Sequence, residues 1–400
     1  MKAFDTAVQE IVDYIRRSNL RAPAKIVLGP NRILELGELA ESCAIRKKAL
    51  LITGAKSAHK SGLVERITAL LRERHFEVVT FETRGREPTV SLIDVGANVA
   101  RNEEPGVVIS AGGGSALDFG KAIAALAVNL GSVEDYLEGV GKGLQVVNTP
   151  LPHIAIPTVS GTGSEMTKNA VIGNPDKGYK KSMRADTMIP TVALIDPLLT
   201  IGAPPHIVAA SGMDAITQLL ESCISLKRRP ETTTLALEGL RRARQALSIC
   251  YEDPRNQPAR CNLALVSMIG GVCLANAGLA MAHGVAAALG ALHEMPHGLA
   301  CAILLPHTLR HNHQACAAEM KQALGAFLNE EELSDRTIPN GIAAVEGLNQ
   351  WLQIPPNIRY LGLTDDDVRR LANASLGTSM SGNPIPMTSE SIYAFLKTMA

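Results

Sequence analysis

The sequence predicts an α/β half built on a parallel sheet, followed by an all-helical half, with the division between residues 1–196 and 197–400. Three observations carry that prediction. Up to residue 195, short β-rich runs alternate with stretches of helical periodicity, the pattern of parallel strands joined by crossover helices. Asp196-Pro197 stops the last of these runs. From His206 onward, helical stretches succeed one another with almost no alternating runs.

Val8, Ile11, Val12 and Ile15 recur at helical spacing near the start, without a continuous apolar stretch and cleavage site, so a helix and a cytoplasmic protein are expected. Residues 49–53, 77–81 and 106–110 are rich in Val, Ile, Leu and Phe and predict three strands. Residues 62–74, 89–101 and 115–128 carry the helical pattern that should cover them. Residues 153–156, 170–173 and 192–195 predict three further strands. In the second half, helices are expected over 206–227, 231–251, 256–277, 296–313, 341–352, 364–376 and 389–399. Breaks such as Arg229-Pro230 and Asn383-Pro384-Ile385-Pro386 separate them. Residues 269–292 contain no Asp, Glu, Lys or Arg and are long enough to cross a bilayer. They are richer in Gly and Ala than in Leu and Ile, and Asn276 and His283 interrupt them, so a buried helix pair is expected instead.

The 400 residues suffice for two domains with substantial cores, and 46% hydrophobic against 20% charged residues fits a soluble globular chain. Basic and acidic residues balance at 39 each, which gives no electrostatic reason for a nucleic-acid or membrane partner and leaves small molecules as ligands. The cysteines, at 43, 223, 250, 261, 273, 301 and 316, form no CxxC, are odd in number and lie mostly among apolar neighbours; free thiols are expected.

Two loops attract attention. Gly112-Gly113-Gly114-Ser115 follows a predicted strand and precedes a predicted helix, so close backbone approach and unpaired first-turn amides together suit a phosphate. The run is not GxGxxG, and a simple turn would use the same glycines. Pro157-Thr158-Val159-Ser160-Gly161-Thr162-Gly163-Ser164-Glu165 also follows a strand and concentrates hydroxyls that suit a ribose or phosphate, or a surface turn. Two such loops at strand ends in one α/β unit point to a shared dinucleotide crevice.

In the helical half, Asp214 and Gln218 lie four residues apart on one helix face, and His283 and His297 stand fourteen residues apart with Gly290 and Pro296 between them. A carboxylate, an amide and two imidazoles make a divalent-metal site that suits Zn²⁺ or Fe²⁺ better than Ca²⁺; the alternative is a pair of core histidines bonded to carbonyls.

Four strings in register, Gly112-Gly113-Gly114-Ser115-x-x-Asp118-x-x-Lys121-Ala122, Pro157-Thr158-x-x-Gly161-Thr162-Gly163-Ser164-Glu165, Gly212-Met213-Asp214-Ala215 and Pro296-His297-Gly298, resemble the iron-containing (group III) alcohol dehydrogenases from about Lys25 to the C-terminus. The resemblance implies a Rossmann-like dinucleotide-binding domain, a helical metal and substrate domain, and a cytoplasmic, NAD(P)-dependent enzyme interconverting a small alcohol and an aldehyde or ketone. Gly114 and Ser115 would touch the pyrophosphate, with Gly112, Gly113 and Asp118 shaping that loop. Thr158, Thr162, Thr167 and Asn169 would line the cofactor channel, and Lys180 falls where a family lysine reaches the cofactor. Asp214, His283 and His297 match three ligands of the iron or zinc, and the fourth, a histidine in the family, falls on Gln218.

A second family histidine, four residues after His283 and next to the substrate, is Ala287 here; His293 is a substitute by sequence proximity only. Some relatives that reduce unsaturated keto acids work without metal. After the second strand, Thr53-Gly54-Ala55-Lys56-Ser57 lacks the carboxylate that many members use on the adenosine ribose, which leans toward NADP(H). A homodimer is expected. The rival readings are a nucleotide-binding homologue without net redox activity, favoured by Gln218 and Ala287, and a lyase resembling dehydroquinate synthase.

Overall fold

Six strands with largely apolar sequences pair in parallel: β1 (Lys25–Leu28), β2 (Lys48–Thr53), β3 (Glu77–Glu82), β4 (Val107–Gly112), β5 (His153–Pro157) and β8 (Val192–Ile195), in the order β1-β8-β5-β4-β2-β3. β6 (Asn169–Asn174) and β7 (Tyr179–Arg184) form a separate antiparallel ribbon. The computed structural model describes residues 2–54, 57–83 and 87–400. Two units are resolved, one of residues 1–159 and 163–203, the other of residues 160–162 and 204–400.

In the first unit, β4 is buried along its whole length, as a central parallel strand must be when helices cover both faces. Successive side chains point to opposite faces. Leu51 and Ile109 therefore pack with Leu36 and Leu39 of α2 (Leu36–Cys43) and Ile67 of α4 (Leu63–Arg72), which follows the short α3 (Ser57–Lys60). Leu50, Ile52 and Val108 pack on the other side with Ile93 of α5 (Val90–Glu103) and Phe119 of α6 (Gly114–Leu126). α1 (Lys2–Arg17) precedes the sheet and buries the expected Val8, Ile11, Val12 and Ile15. The chain runs outward from β2 to β3, then returns to place β4 on the other side of β2. Such a reversal opens a crevice at the carboxyl ends of the two strands, where the Gly112 loop begins.

The second unit holds helices and, among the described residues, no strand: α7 (Pro205–Ile224), α8 (Pro230–Glu252), α9 (Gln257–Ala277), α10 (Met281–His293), α11 (His297–Asn312), α12 (Ala317–Leu328), α13 (Thr337–Trp351), α14 (Asp365–Ala374) and α15 (Ser389–Lys397). α7 and α9 are long and apolar enough to cross a membrane, but most of each is buried inside the protein. Residues 269–292 are split between α9 and α10, where Gly278 takes a positive φ of 62°.

Several elements depart from the sequence expectation. The strand expected at 170–173 is not in the parallel sheet; its hydrogen bonds go to β7, across a turn at Gly178 with φ 66°. β7 escapes detection because Tyr-Lys-Lys-Ser-Met-Arg is mostly half-buried and shows no apolar alternation. β1 is a four-residue edge strand, too short for a periodic signal. α12 lies outside the expected helices, and α13 begins at Thr337 rather than at 341. All seven cysteines are free thiols.

Candidate active site

In the first unit, α6 begins at Gly114 directly after β4, and its N-cap, Gly113, makes no side-chain cap bond. First-turn amides have no intrahelical partner, so this helix start presents donors and a partial positive charge. Gly112 allows the turn: a Cβ there would stand 2.6 Å from the Cβ of Ala116. The Thr158 amide donates to the Gly112 carbonyl at 2.9 Å, which ties the two predicted loops together at the strand ends. Ser115 and Lys180 meet at a common partner that the sequence did not suggest. The Ser115 hydroxyl donates to Glu87 Oε1 at 3.4 Å, and Lys180 Nζ lies 2.7 Å from Glu87 Oε2.

Asp118 works one turn deeper. Its Oδ1 accepts from Ser164 Oγ at 2.6 Å and pairs with Lys121 Nζ at 2.9 Å, while its Oδ2 accepts from the Val171 amide at 2.8 Å. It thereby fastens α6 to the Ser164 turn and to β6. Lys121 is fully buried and also donates to the Ser164 carbonyl and to Thr167 Oγ1, both at 3.0 Å. Thr167 is therefore engaged inside this network, its hydroxyl lying in the interior of the unit. Asn169 is half-buried at the first position of β6. Burial pushes the neighbouring Glu165 carboxyl up to about 7, with the Lys121 charge pulling it back only in part. Ala55 and Lys56 lie outside the described residues, as does the Ser57 side chain.

In the second unit, Asp214 on α7, His283 in the first turn of α10 and His297 at the start of α11 converge. His283 Nε2 is 3.2 Å and His297 Nε2 3.8 Å from Asp214 Oδ1, and the imidazole centroids are 5.3 Å apart. α11 reaches α7 closely because residue 298 is glycine: a Cβ there would be 2.4 Å from the Ala210 carbonyl oxygen and 3.3 Å from Asp214 Cβ. Asp214 and His283 are buried, whereas the His297 side chain is 42% exposed and forms the open side of the cluster.

Two participants were absent from the sequence reading. Glu221, two turns beyond Asp214 on α7, accepts from His283 Nδ1 at 2.7 Å and from the amides of Ala280, Ala282 and His283 at 3.1, 2.6 and 3.3 Å. A buried carboxylate is thus held by the amino end of α10 and fixes the ring so that Nε2 faces Asp214. Cys301, one turn after His297 on α11, has its sulfur 3.7 Å from His297 Nε2. One ligand atom each from Asp214, His283, His297 and Cys301 lie within 4.8 Å of one another. A glutamate seven residues after Asp214 and a cysteine four after His297 were the available signals, both at helical spacing.

Burial opposes ionisation of Asp214, but a hydrogen bond from His283 and the charges of His297 and His283 hold its carboxyl below the ordinary value. Burial likewise opposes charge on His283, and the acidic groups around it, Cys301, Asp214 and Glu221, raise it well above an ordinary imidazole. Burial pushes the Cys301 thiol up to about 12. A buried site with this much acceptor character is one that a divalent cation would neutralise. Gln218 is buried beside it on α7; its Nε2 donates to the Thr162 carbonyl at 3.0 Å, and its Oε1 has no hydrogen-bond partner. Ala287, four residues after His283, offers no side-chain proton. His293, at the far end of α10, lies six residues beyond Ala287 and about 15 Å along the helix from His283.

The sequence profile described as iron-containing alcohol dehydrogenase matches residues 23–197, and that of the C-terminal part of the same family matches residues 208–400. Alcohol dehydrogenase 4 of Saccharomyces cerevisiae is 34% identical over 352 residues, covering 88% of this chain and 90% of the yeast protein. The NAD-dependent methanol dehydrogenase of Bacillus methanolicus is 29% identical over 386 residues, covering 95% and 99%. The crystal structure of a 1,3-propanediol oxidoreductase superposes with a TM-score of 0.88 at 31% identity, covering 95% of this chain and 99% of that one.

Proposed function

The chain belongs to the iron-containing alcohol dehydrogenase family, as an oxidoreductase of the alcohol dehydrogenase type, and on that premise we propose that it interconverts a small alcohol and its aldehyde or ketone with a nicotinamide dinucleotide and a divalent metal. The observation that carries the metal reading is the convergence of Asp214, His283 and His297 on one point, with Glu221 orienting His283. The donor set fits a divalent cation of the Zn²⁺ or Fe²⁺ kind: one carboxylate and two imidazoles. When bound, the metal would supply Lewis-acid polarisation of the substrate oxygen.

The chain's own residues do the rest. The first-turn amides of α6 and the Ser115 hydroxyl bind the pyrophosphate, with Gly112 permitting the turn that presents them. Lys180, held at 2.7 Å by Glu87, stands at the same loop as a donor that would have to leave that carboxylate to reach the cofactor, and Asp118 positions α6 against the Ser164 turn. Thr158, Thr162 and Asn169 offer polar groups to the remaining cofactor. Glu221 retains the proton of His283 Nδ1 and leaves Nε2 as a donor atom. Since Ala287 cannot shuttle a proton, ordered water or the nicotinamide ribose hydroxyls would carry it.

Thr53 and Gly54, where β2 ends, carry no carboxylate of their own, which lessens the repulsion a 2′-phosphate would meet and supports acceptance of NADP(H), although Glu82 of β3 lies in register with Thr53. The named dependence of the Bacillus relative is on NAD. An aldehyde panel followed at 340 nm with both reduced cofactors, with chelator and with added Zn²⁺ or Fe²⁺, tests the whole reading. Chelator-sensitive oxidation of reduced cofactor is expected, with kcat/KM for NADPH at least equal to that for NADH. Cofactor binding without net turnover on any carbonyl would remove it.

A further inference from the structure

Cys301 lies outside every motif that pointed to the cluster, yet its sulfur shares the same space as the three other donor atoms, all within 4.8 Å of one another. A tetrahedral site with metal–nitrogen bonds of about 2.0–2.1 Å and metal–sulfur bonds of about 2.3 Å has N···O edges of roughly 3.3 Å and N···S edges of roughly 3.6 Å. The corresponding separations are 3.2 and 3.8 Å from Asp214 Oδ1 to the two imidazoles, and 3.7 Å from Cys301 Sγ to His297 Nε2. These three separations match coordination edges, and the whole set spans no more than 4.8 Å. Gln218 is placed differently: its amide nitrogen is committed to the Thr162 carbonyl, and its oxygen lies against α9, where a Cβ on Gly270 would be 2.7 Å away.

We propose that Cys301, as a thiolate, is the fourth protein ligand of the metal, completing an Asp-His-His-Cys set where the resemblance puts a histidine at position 218. The inference rests on the metal reading above. As the sulfur–metal bond forms, the thiol proton leaves to solvent. A softer donor tilts the site from Fe²⁺ toward Zn²⁺.

The test titrates the full chain, freed of metal and cofactor, with Co²⁺ and follows its absorption spectrum. Visible d–d bands are expected together with a near-ultraviolet thiolate-to-cobalt charge-transfer band. Cys301→Ser and Cys301→Ala should lose that band and bind Zn²⁺ at least about tenfold more weakly against a chromophoric chelator, while Gln218→Ala keeps both. Thermal melting of Cys301→Ser, which preserves side-chain size, checks that folding is intact. Wild-type d–d bands without the charge-transfer band, or its loss in Gln218→Ala but not in Cys301→Ser, would overturn the assignment and leave the metal reading standing. Failure of the wild type to bind either Co²⁺ or Zn²⁺ would overturn both.

Discussion

Glu221 and His283 are joined by a 2.7 Å hydrogen bond from Nδ1 to a carboxylate that also gathers three backbone amides at the start of α10. One buried anion therefore sets the position of the helix and the tautomer of the ring. Glu221→Gln keeps the size and removes the charge. Zinc affinity should fall about 10- to 100-fold although no metal ligand is altered, as measured by chelator competition. An unchanged affinity would deny Glu221 its positioning role.

His297 should separate chemistry from stability. Its side chain is 42% exposed, so His297→Ala should alter the free energy of unfolding by no more than about 1 kcal/mol. Turnover should drop by roughly 100-fold or more, because the proposed metal ligand on the open side of the cluster is lost. Equal activity in the variant would remove the proposed role.

Gly298 permits the contact between α11 and α7 that brings His297 to Asp214. In Gly298→Ala the new methyl would meet the Ala210 carbonyl oxygen at 2.4 Å, so the helices must move apart. A cost of about 1–3 kcal/mol is expected, together with weaker metal binding, from denaturant unfolding and metal titration on one preparation. If neither quantity moved, the close approach would not be what assembles the cluster.

Glu165 should make stability depend on pH in an unusual direction. Its folded value of about 7 stands above the ordinary 4.5, so the folded state holds the extra proton between those values. Stability from this group is fully present below about pH 4.5 and is lost as pH rises through about 7, a change of roughly 3 kcal/mol at most. Glu165→Gln should therefore raise Tm at pH 8 and change it little at pH 4.5. A Tm gain of the same size at both pH values would show that ionisation is not responsible.

Much of the fold was legible because local sequence carries it. β2, β4 and β5 are continuous apolar runs, and α1 shows its buried stripe at helical spacing. β1 and β7 were not legible, since one is four residues long and the other is half basic and mostly half-buried; their partners hold them in place. In the site, Asp214 and His297 were found through flanking motifs and His283 through its spacing from His297, and the structure brings the three together. Thr167, expected to line the cofactor channel, has its hydroxyl bonded to the buried Lys121 ammonium, a contact no local signal announces.

The sequence by itself determined the succession of strands and helices, the glycine turn before α6, and the residue types able to grip a metal, because each follows from spacing along a few turns or pleats. Only the tertiary structure decided that Glu221 and Cys301 complete that cluster, that β6 leaves the main sheet, and that Gln218 turns its amide nitrogen toward Thr162. Those contacts span tens of residues, and distance along the chain carries no direction in space until the helices have packed.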